Sequence, residues 1–327
     1  MGRNIKILVL LLSAIVLLVA GCTGGTETGA DGGALKSIGI VQYVDHIALD
    51  SSREGFIAAL ADNGYLEGEN ITVDYQNAQA DAANLSTISD RFVSNKVDLV
   101  LAIATPAAQS IAGKTTTIPI LGTAITDYVV ARLVESNEAP GGNVSGTTDM
   151  NPIKEQIDLL VQLAPDVQTV GVLYTSSEDN SILQAELARE SIENLGLKYV
   201  EVTVSNSNEV QQATQSIVNQ CDAIYIPTDN IFASAMPIVH GVVLESKTPV
   251  ICGEAGMVNS GGLATLGINY YDLGYQTGLM AVKIFEGAEI SSMPIESASG
   301  FDFAINGTVA REIGLEIPAD LQQYIIE

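Results

Sequence analysis

The sequence predicts an α/β protein of two doubly wound, Rossmann-like lobes with a hinged cleft between them. Short apolar runs, each typical of a parallel strand covered on both faces, alternate with helical patterns. This alternation occurs twice along the chain, and strand and helix patterns then continue past residue 262. A chain of 327 residues is long enough for two domains of ordinary size. We therefore expect two lobes that close on a ligand, with a late return of the chain to the first.

The first lobe begins with strands separated by helices whose first residues are capping residues. Its first helix is expected to be capped by Ser51 or Ser52, with its apolar positions on one face. The turn cluster at 140–143 precedes the last strand of this lobe. The predicted strands are 37–44, 71–75, 97–104, 118–121 and 143–148, and the predicted helices are 51–63, 81–95 and one from 105.

The second lobe repeats this plan, though not the sequence. A long amphipathic helix follows its first strand and ends at Gly196. The predicted strands are 169–174, 199–204, 223–227 and 249–252. One predicted helix follows residues 176–181, a second spans 209–219 and a third follows residues 228–230. The chain then continues with strand 262–269, helix 272–286, strand 301–305 and a terminal helix and tail at 307–327. The expected boundaries are 35–148 plus 262–290 for lobe 1 and 149–261 plus 291–327 for lobe 2.

The first residues predict secretion and lipid attachment. Two cations precede an apolar run at 7–20, which has the length of a signal-peptide core and is too short for a comfortable transmembrane helix. The segment Leu18–Cys22 resembles a bacterial lipobox, which implies cleavage before the cysteine. An uncleaved anchor is the alternative. The expected segments are a signal peptide at 1–21, a lipid on Cys22 and a flexible tether at 22–34.

The composition argues against several function classes. The net charge is −25, so no basic patch is available to replace phosphate counterions, and we expect no nucleic-acid partner. No cluster of cysteine and histidine has the spacing of metal ligands, and no dinucleotide fingerprint, phosphate loop or nucleophile elbow occurs. We therefore expect no metal, no cofactor and no enzymatic activity.

The stretch 97–112 predicts a ligand-binding edge. A buried strand leads into Thr105 and Pro106, where Thr105 is expected to cap a helix and Pro106 to occupy its first position. A helix N-terminus at the carboxyl end of a strand favours an anionic group. We expect this turn to bind a ligand's carboxylate, although an ordinary strand-to-helix turn has the same pattern.

The other strand ends bring polar side chains to the same cleft. Carboxylates are abundant there and arginine is absent, which favours a ligand with an ammonium group. Asp229, with Asp127, is expected to bind that ammonium; both could instead be helix caps. The collected strand-end residues are Gln42, Tyr43, Thr105, Asp127, Asp149, Asn151, 176–180 (with Ser176, Ser177, Asp179 and Asn180), Asp229, Asn230, Glu254, Asn269 and Tyr270.

Five segments together resemble the ABC-transporter substrate-binding lipoprotein family that includes tryptophan- and aromatic amino-acid-binding members. The segments are Ala102–Gln109, Ala124–Asp127, Pro140–Gly146, Leu173–Ser181 and Pro227–Asn230. The resemblance implies a type I periplasmic-binding-protein fold from about residue 35 onward. It also implies site roles for the turn Thr105–Ala107 (with Pro106 and Ala107), for Asp127, for the 176–180 loop and for the pair at 229–230.

The resemblance implies capture of a small, amino-acid-like and possibly aromatic solute. The solute would be delivered to the permease subunits of an ABC importer. The protein would be a monomer on the outer face of the cytoplasmic membrane, with the lipid as its only membrane contact. Alternatives are a sugar- or nucleoside-binding protein of the same fold, a ligand-sensing surface lipoprotein, and an enzyme using Asp127 and Asp229 as an acid–base pair.

Overall fold

The computed structural model of the chain describes residues 35–326. The predicted signal peptide at 1–21, the lipid site Cys22 and the tether at 22–34 lie outside the described residues. Within residues 35–326, the mixed α/β architecture with two parallel-sheet lobes is confirmed. No helix in this range is both long and apolar enough to cross a bilayer.

Lobe 1 is built on a six-stranded sheet in which every pairing is parallel. From one edge to the other, the order is β2-β1-β3-β4-β5-β11. Its two central strands, Leu99–Ile103 and Ile120–Ile125, are mainly apolar and fully buried because helices cover both faces. The strands are β1 (Lys36–Gln42), β2 (Ile71–Asn77), β3 (Leu99–Ile103), β4 (Ile120–Ile125), β5 (Val144–Thr148) and β11 (Glu296–Ser297).

Lobe 2 is built on a seven-stranded sheet in the order β7-β6-β8-β9-β10-β12-β13. Its pairings are parallel except for β10 with β12, which run antiparallel. Two apolar clusters contribute its core. The strands are β6 (Thr169–Thr175), β7 (Lys198–Val204), β8 (Ala223–Ile226), β9 (Val250–Cys252), β10 (Ala264–Gly267), β12 (Asp302–Asn306) and β13 (Ile325–Ile326).

The helices divide between the lobes in the same way. Lobe 1 carries α1 (Ile47–Asp62), α2 (Ala82–Asn95), α3 (Thr105–Ala112) and α10 (Tyr270–Phe285). Lobe 2 carries α4 (Ile153–Leu163), α5 (Asp179–Asn194), α6 (Val210–Ile217), α7 (Asn230–Ser234), α8 (Met236–Ser246), α9 (Ala255–Asn259) and α11 (Gly307–Ile313). Short 3₁₀ helices occur at Ser207–Glu209, Ile290–Ser292 and Gln322–Tyr324.

The chain crosses between the lobes three times, and two crossings differ from the expected boundaries. Strand β10 belongs to the second sheet, so the return to lobe 1 follows Gly267 and not residue 262. The final departure from lobe 1 follows Ser297 and not residue 291, because β11 pairs with β5. Sequence pattern alone could not assign β10, since a buried strand has the same apolar character in either sheet.

Helices α1 and α10 pack closely because glycines stand at their contact. A Cβ atom on Gly274 would lie 1.9 Å from the backbone oxygen of Ser52, and one on Gly55 would lie 2.0 Å from that of Tyr271. Helix α1 itself starts at Ile47, so the expected start at Ser51 or Ser52 is wrong. Ser52 is instead buried inside the helix, at its contact with Gly274.

Candidate functional site

The two lobes meet over a small cavity. The centre of a water-sized molecule has only about 10 Å³ available in it, so the lobes are closed tightly over this space. Side chains of both lobes contribute to its wall. The lining residues are His46, Leu49, Ala124, Thr126, Asp149, Asn180, Thr228, Asp229, Asn230, Ala233, Glu254 and Tyr270.

Strand ends place most of these residues. Thr126 follows β4, Asp149 follows β5, Asp229 follows β8, and Glu254 follows β9. Because the strands of each lobe are mainly parallel, their carboxyl ends meet at one edge, where open α/β sheets bind ligands. The cavity therefore lies at the sheet edge where the sequence predicts a ligand cleft.

The cavity wall is acidic. Asp149, Asp229 and Glu254 line it, whereas no lysine or arginine of the described chain does so. Burial raises the pKa of all three carboxyl groups, that of Glu254 to about 7, because a charged carboxylate loses its hydration there. A cationic group in this cavity would offset that lost hydration.

Asp149 differs from the other two acids in its hydrogen bonds. Its Oδ1 accepts from the hydroxyl of Thr126 at 3.0 Å, and its Oδ2 accepts from the hydroxyl of Tyr270 at 2.7 Å. Both donors are rotatable hydroxyl groups that also line the cavity. The Asp149 carboxylate can therefore accept a ligand donor without breaking a backbone hydrogen bond.

Asp229 and Glu254 are helix caps. Asp229 Oδ1 accepts from the Phe232 amide at 2.9 Å, and its Oδ2 accepts from the Thr175 amide at 2.6 Å. Glu254 accepts from the amides of Gly256 and Met257. Both carboxylates line the cavity while being fixed by backbone donors.

A fourth buried acid, Glu178, lies next to the cavity wall. Its Oε2 accepts from Asn230 Nδ2 and, at 3.2 Å, from Asn180 Nδ2. Its Oε1 is buried and has no hydrogen-bond partner in the described part of the chain. Burial, together with the neighbouring Asp229 charge, raises the pKa of Glu178.

Three hydrogen bonds join the lobes around the cavity. His46 and Asn230 are bonded at 3.2 Å, and Gln184 Nε2 donates to Thr126 Oγ1 at 3.1 Å. At the rim, Gln109 Nε2 donates to Asp179 Oδ2 at 2.8 Å. These contacts are typical of lobes that have closed.

Of the site residues predicted from the sequence, four line the cavity: Asn180, Asp229, Asn230 and Glu254. Asp149 and Tyr270, which were collected as strand-end residues, line it as well. The remaining residues of the predicted set lie outside the lining: Gln42, Tyr43, Thr105, Pro106, Ala107, Asp127, Asn151, Ser176, Ser177, Asp179 and Asn269. Six lining residues were not predicted from the sequence: His46, Leu49, Ala124, Thr126, Thr228 and Ala233.

Several of the outlying residues complete local structure instead. Asp127 Oδ1 accepts from the amides of Val129 and Val130, each at 2.8 Å. Gln42 accepts from Arg53 Nη1 at 2.7 Å within lobe 1. The capping alternative therefore describes Asp127 better than a role in ammonium binding.

The turn before α3 also differs from its prediction. Thr105 is the first residue of the helix and not its cap, which is Ala104. Ala104 has φ 82° and ψ 153°, a conformation that side chains disfavour. The buried Thr105 hydroxyl has no partner among residues 35–326. Because the closed cavity does not reach this turn, its binding of a ligand carboxylate stays a prediction.

We expect the substitution Asp229→Asn to destabilise the protein by about 1–3 kcal/mol. The carboxylate accepts on both oxygens, so an amide would set an N–H group against the buried donor of Thr175. Thermal and denaturant unfolding would measure the loss. Asp81→Asn is the matched control, because Asp81 caps α2 with one oxygen, which asparagine keeps. Equal stability of the two variants would contradict this account of Asp229.

Comparison with known proteins identifies the family. The model of the family described as ABC transporter substrate binding protein matches residues 37–326. The chain belongs to this family. The tyrosine-binding protein of Clostridioides difficile strain R20291 is 40% identical to this substrate-binding protein, over 99% of this chain and 97% of its own.

Solved structures show which conformation the chain has. An ABC domain from Streptococcus pneumonia in complex with L-Trp is 37% identical in sequence to this chain. Its superposition covers 90% of this chain and 100% of the domain, with a TM-score of 0.87. A second structure is the ligand-free, open form of a substrate binding protein with adhesive properties from Clostridium difficile, and its sequence is 45% identical to this chain. Its superposition covers 90% of this chain and 99% of that protein, with a TM-score of only 0.69. The expected type I periplasmic binding fold is confirmed. The better match to the complex, despite lower identity, indicates that this substrate-binding protein is in a closed conformation.

Proposed function

We propose that this protein captures an aromatic amino acid between its lobes for an ABC importer. One relative, 37% identical to this chain, was solved in complex with L-Trp, and another, 40% identical, is named a tyrosine-binding protein. The cavity lies between the lobes, and Leu49, Ala124 and Ala233 contribute apolar wall for a ring. Delivery of the amino acid to the permease subunits of the importer is part of this proposal.

The observation that carries the proposal is an acidic cavity lined by no lysine or arginine of the described chain. A free amino acid brings an ammonium group, and a desolvated ammonium needs a charged partner. We assign that role to Asp149, because its two hydrogen-bond donors are hydroxyl groups that can rotate. A sugar or nucleoside has no cation and would leave the carboxylates of the cavity without one.

The test is to identify what the protein carries. The protein is purified without denaturation and then denatured, and mass spectrometry identifies any released ligand. Calorimetry with the ligand-stripped protein then compares L-tyrosine, L-tryptophan, L-phenylalanine, L-leucine, glucose and adenosine. We expect binding of aromatic amino acids and weaker or no binding of the others. Binding of glucose or adenosine, with no aromatic amino acid bound, would overturn the proposal.

We propose, further, that the protein works as a monomer on the outer face of the cytoplasmic membrane, anchored through a lipid on Cys22. The lipobox-like segment Leu18–Cys22 after a short apolar run supports this anchor. Labelling of cells with a radioactive fatty acid tests it. We expect label in the wild-type protein and none in Cys22→Ala, and equal labelling of both would refute lipid attachment at this residue.

A further inference from the structure

One cavity-lining histidine has an unused hydrogen-bonding atom. His46 lies just before α1, and its ring nitrogen Nδ1 is buried with no partner in the described chain. The other ring nitrogen, Nε2, is bonded across the cleft to Asn230 Oδ1 at 3.2 Å. A buried polar atom without a partner in a ligand cavity is a candidate for contact with the ligand.

The bonds of Asn230 determine which tautomer His46 has. Asn230 Nδ2 donates to the Glu178 carboxylate, so its Oδ1 faces His46. An amide oxygen only accepts, which makes His46 Nε2 the donor. Burial lowers the pKa of His46 to about 4, so the ring is neutral at pH 7. Nδ1 therefore carries a lone pair and can only accept.

His46 Nδ1 is a single uncharged acceptor, and it is better matched by an uncharged donor than by an ammonium group. A desolvated ammonium requires a charged partner, and carboxylates line the same cavity. Tyrosine and tryptophan, the amino acids named for the two relatives, share one further feature. Each side chain is an aromatic ring with a single neutral donor, a phenol O–H or an indole N–H. Phenylalanine has the ring without the donor.

We propose that His46 Nδ1 accepts a hydrogen bond from the ligand's side chain and thereby selects donor-bearing aromatic amino acids over phenylalanine. The inference rests on the proposed function and adds the basis of its selectivity. In a phenylalanine complex Nδ1 would stay buried and unpaired. We expect L-tyrosine to bind about 10- to 100-fold more tightly than L-phenylalanine, which is the effect of one unpaired buried polar group.

The experiment is a cycle that removes the donor from the ligand and the acceptor from the protein. Calorimetry gives the ratio of L-phenylalanine to L-tyrosine dissociation constants in wild type and in His46→Leu. His46→Leu also removes the hydrogen bond to Asn230, which weakens closure of the lobes. That effect is the same for both ligands, so it cancels in the ratio of their dissociation constants. The chain contains no tryptophan, so indole fluorescence of added L-tryptophan gives an independent affinity.

We expect the ratio to fall to within about threefold of unity in His46→Leu. In His46→Gln, which keeps an acceptor, part of the ratio should return. His240→Leu is the matched control, because His240 lies outside the cavity lining and bonds to the Gly261 carbonyl. Its ratio should equal that of wild type.

The inference is overturned if wild type binds L-tyrosine and L-phenylalanine equally, or if His46→Leu keeps the wild-type ratio. Either outcome leaves the proposed function intact, because both amino acids are aromatic. If wild type binds no aromatic amino acid, the proposed function itself fails. Melting curves for each variant identify misfolded protein, and the wild-type ratio alone tests the inference should His46→Leu misfold.

Discussion

Asp149→Asn is expected to weaken aromatic amino-acid binding by about 30-fold to several-thousand-fold without unfolding the protein. Removing one partner of a desolvated charge pair costs roughly 2–5 kcal/mol. The fold should tolerate the change, because the hydroxyl groups of Thr126 and Tyr270 can accept from an amide as well as donate to it. Calorimetry, together with a melting curve, measures both effects.

The matched control for this variant is Asp127→Asn. Asp127 lies outside the cavity lining and uses only Oδ1 to accept from two amides, and asparagine keeps that oxygen. We expect near-wild-type affinity in this control. Near-wild-type affinity in Asp149→Asn as well would refute the assignment of the ammonium to Asp149.

The same assignment predicts a pH dependence. Burial raises the pKa of Asp149 in the ligand-free cavity, and an ammonium binds the ionised carboxylate. Affinity should therefore rise as pH increases towards that pKa, with release of a proton on binding below it. In Asp149→Asn this contribution to the pH dependence should disappear.

Gly274→Ala is expected to destabilise the protein by about 3 kcal/mol or more. Its Cβ would lie 1.9 Å from the backbone oxygen of Ser52, so α1 and α10 would have to separate. No side-chain rotation relieves this contact, because the position of a Cβ atom is fixed by its own backbone and its neighbour is a backbone oxygen. Denaturant unfolding of purified protein gives the change in the free energy of unfolding.

A second helical glycine gives a control of opposite sign. Gly241 lies in α8, is exposed, and has open space where its Cβ would be, since no described atom beyond its own stretch of helix comes within 4 Å. Gly241→Ala should be neutral or stabilise by up to about 1 kcal/mol, because alanine favours helices. If the two substitutions had equal effects, close helix packing at Gly274 would not be the cause.

Sequence patterns predicted the strands and helices well where an apolar run or a glycine marks them. The apolar runs at 97–104 and 169–174 are buried strands in the structure. The late helix at 272–286 occurs as α10, and Gly196 follows the end of α5. These features depend on neighbours in sequence, which is why they can be read from the chain without knowledge of its fold.

The cavity depends on distant neighbours, and there the predictions were weaker. Carboxylates at strand ends were predicted as a class, but Asp127 and Asp229 could not be ranked, since a cap and a ligand contact attract the same residue types. His46 follows a strand by several residues and gave no pattern. Its bond to Asn230, 184 positions along the chain, and its place in the cavity wall show that it faces the ligand cleft.

The three crossings also determine the order in which the protein can be assembled as it emerges from the ribosome or through a membrane pore. Lobe 1 lacks α10, the partner of α1 at the glycine contact, until residue 285 has appeared, and it lacks β11 until residue 297 has appeared. Lobe 2 lacks β12 and β13 until the last residues have followed. Each lobe needs segments from late in the chain to complete its sheet, so we expect a nascent chain of this protein to stay incompletely folded almost to its C-terminus.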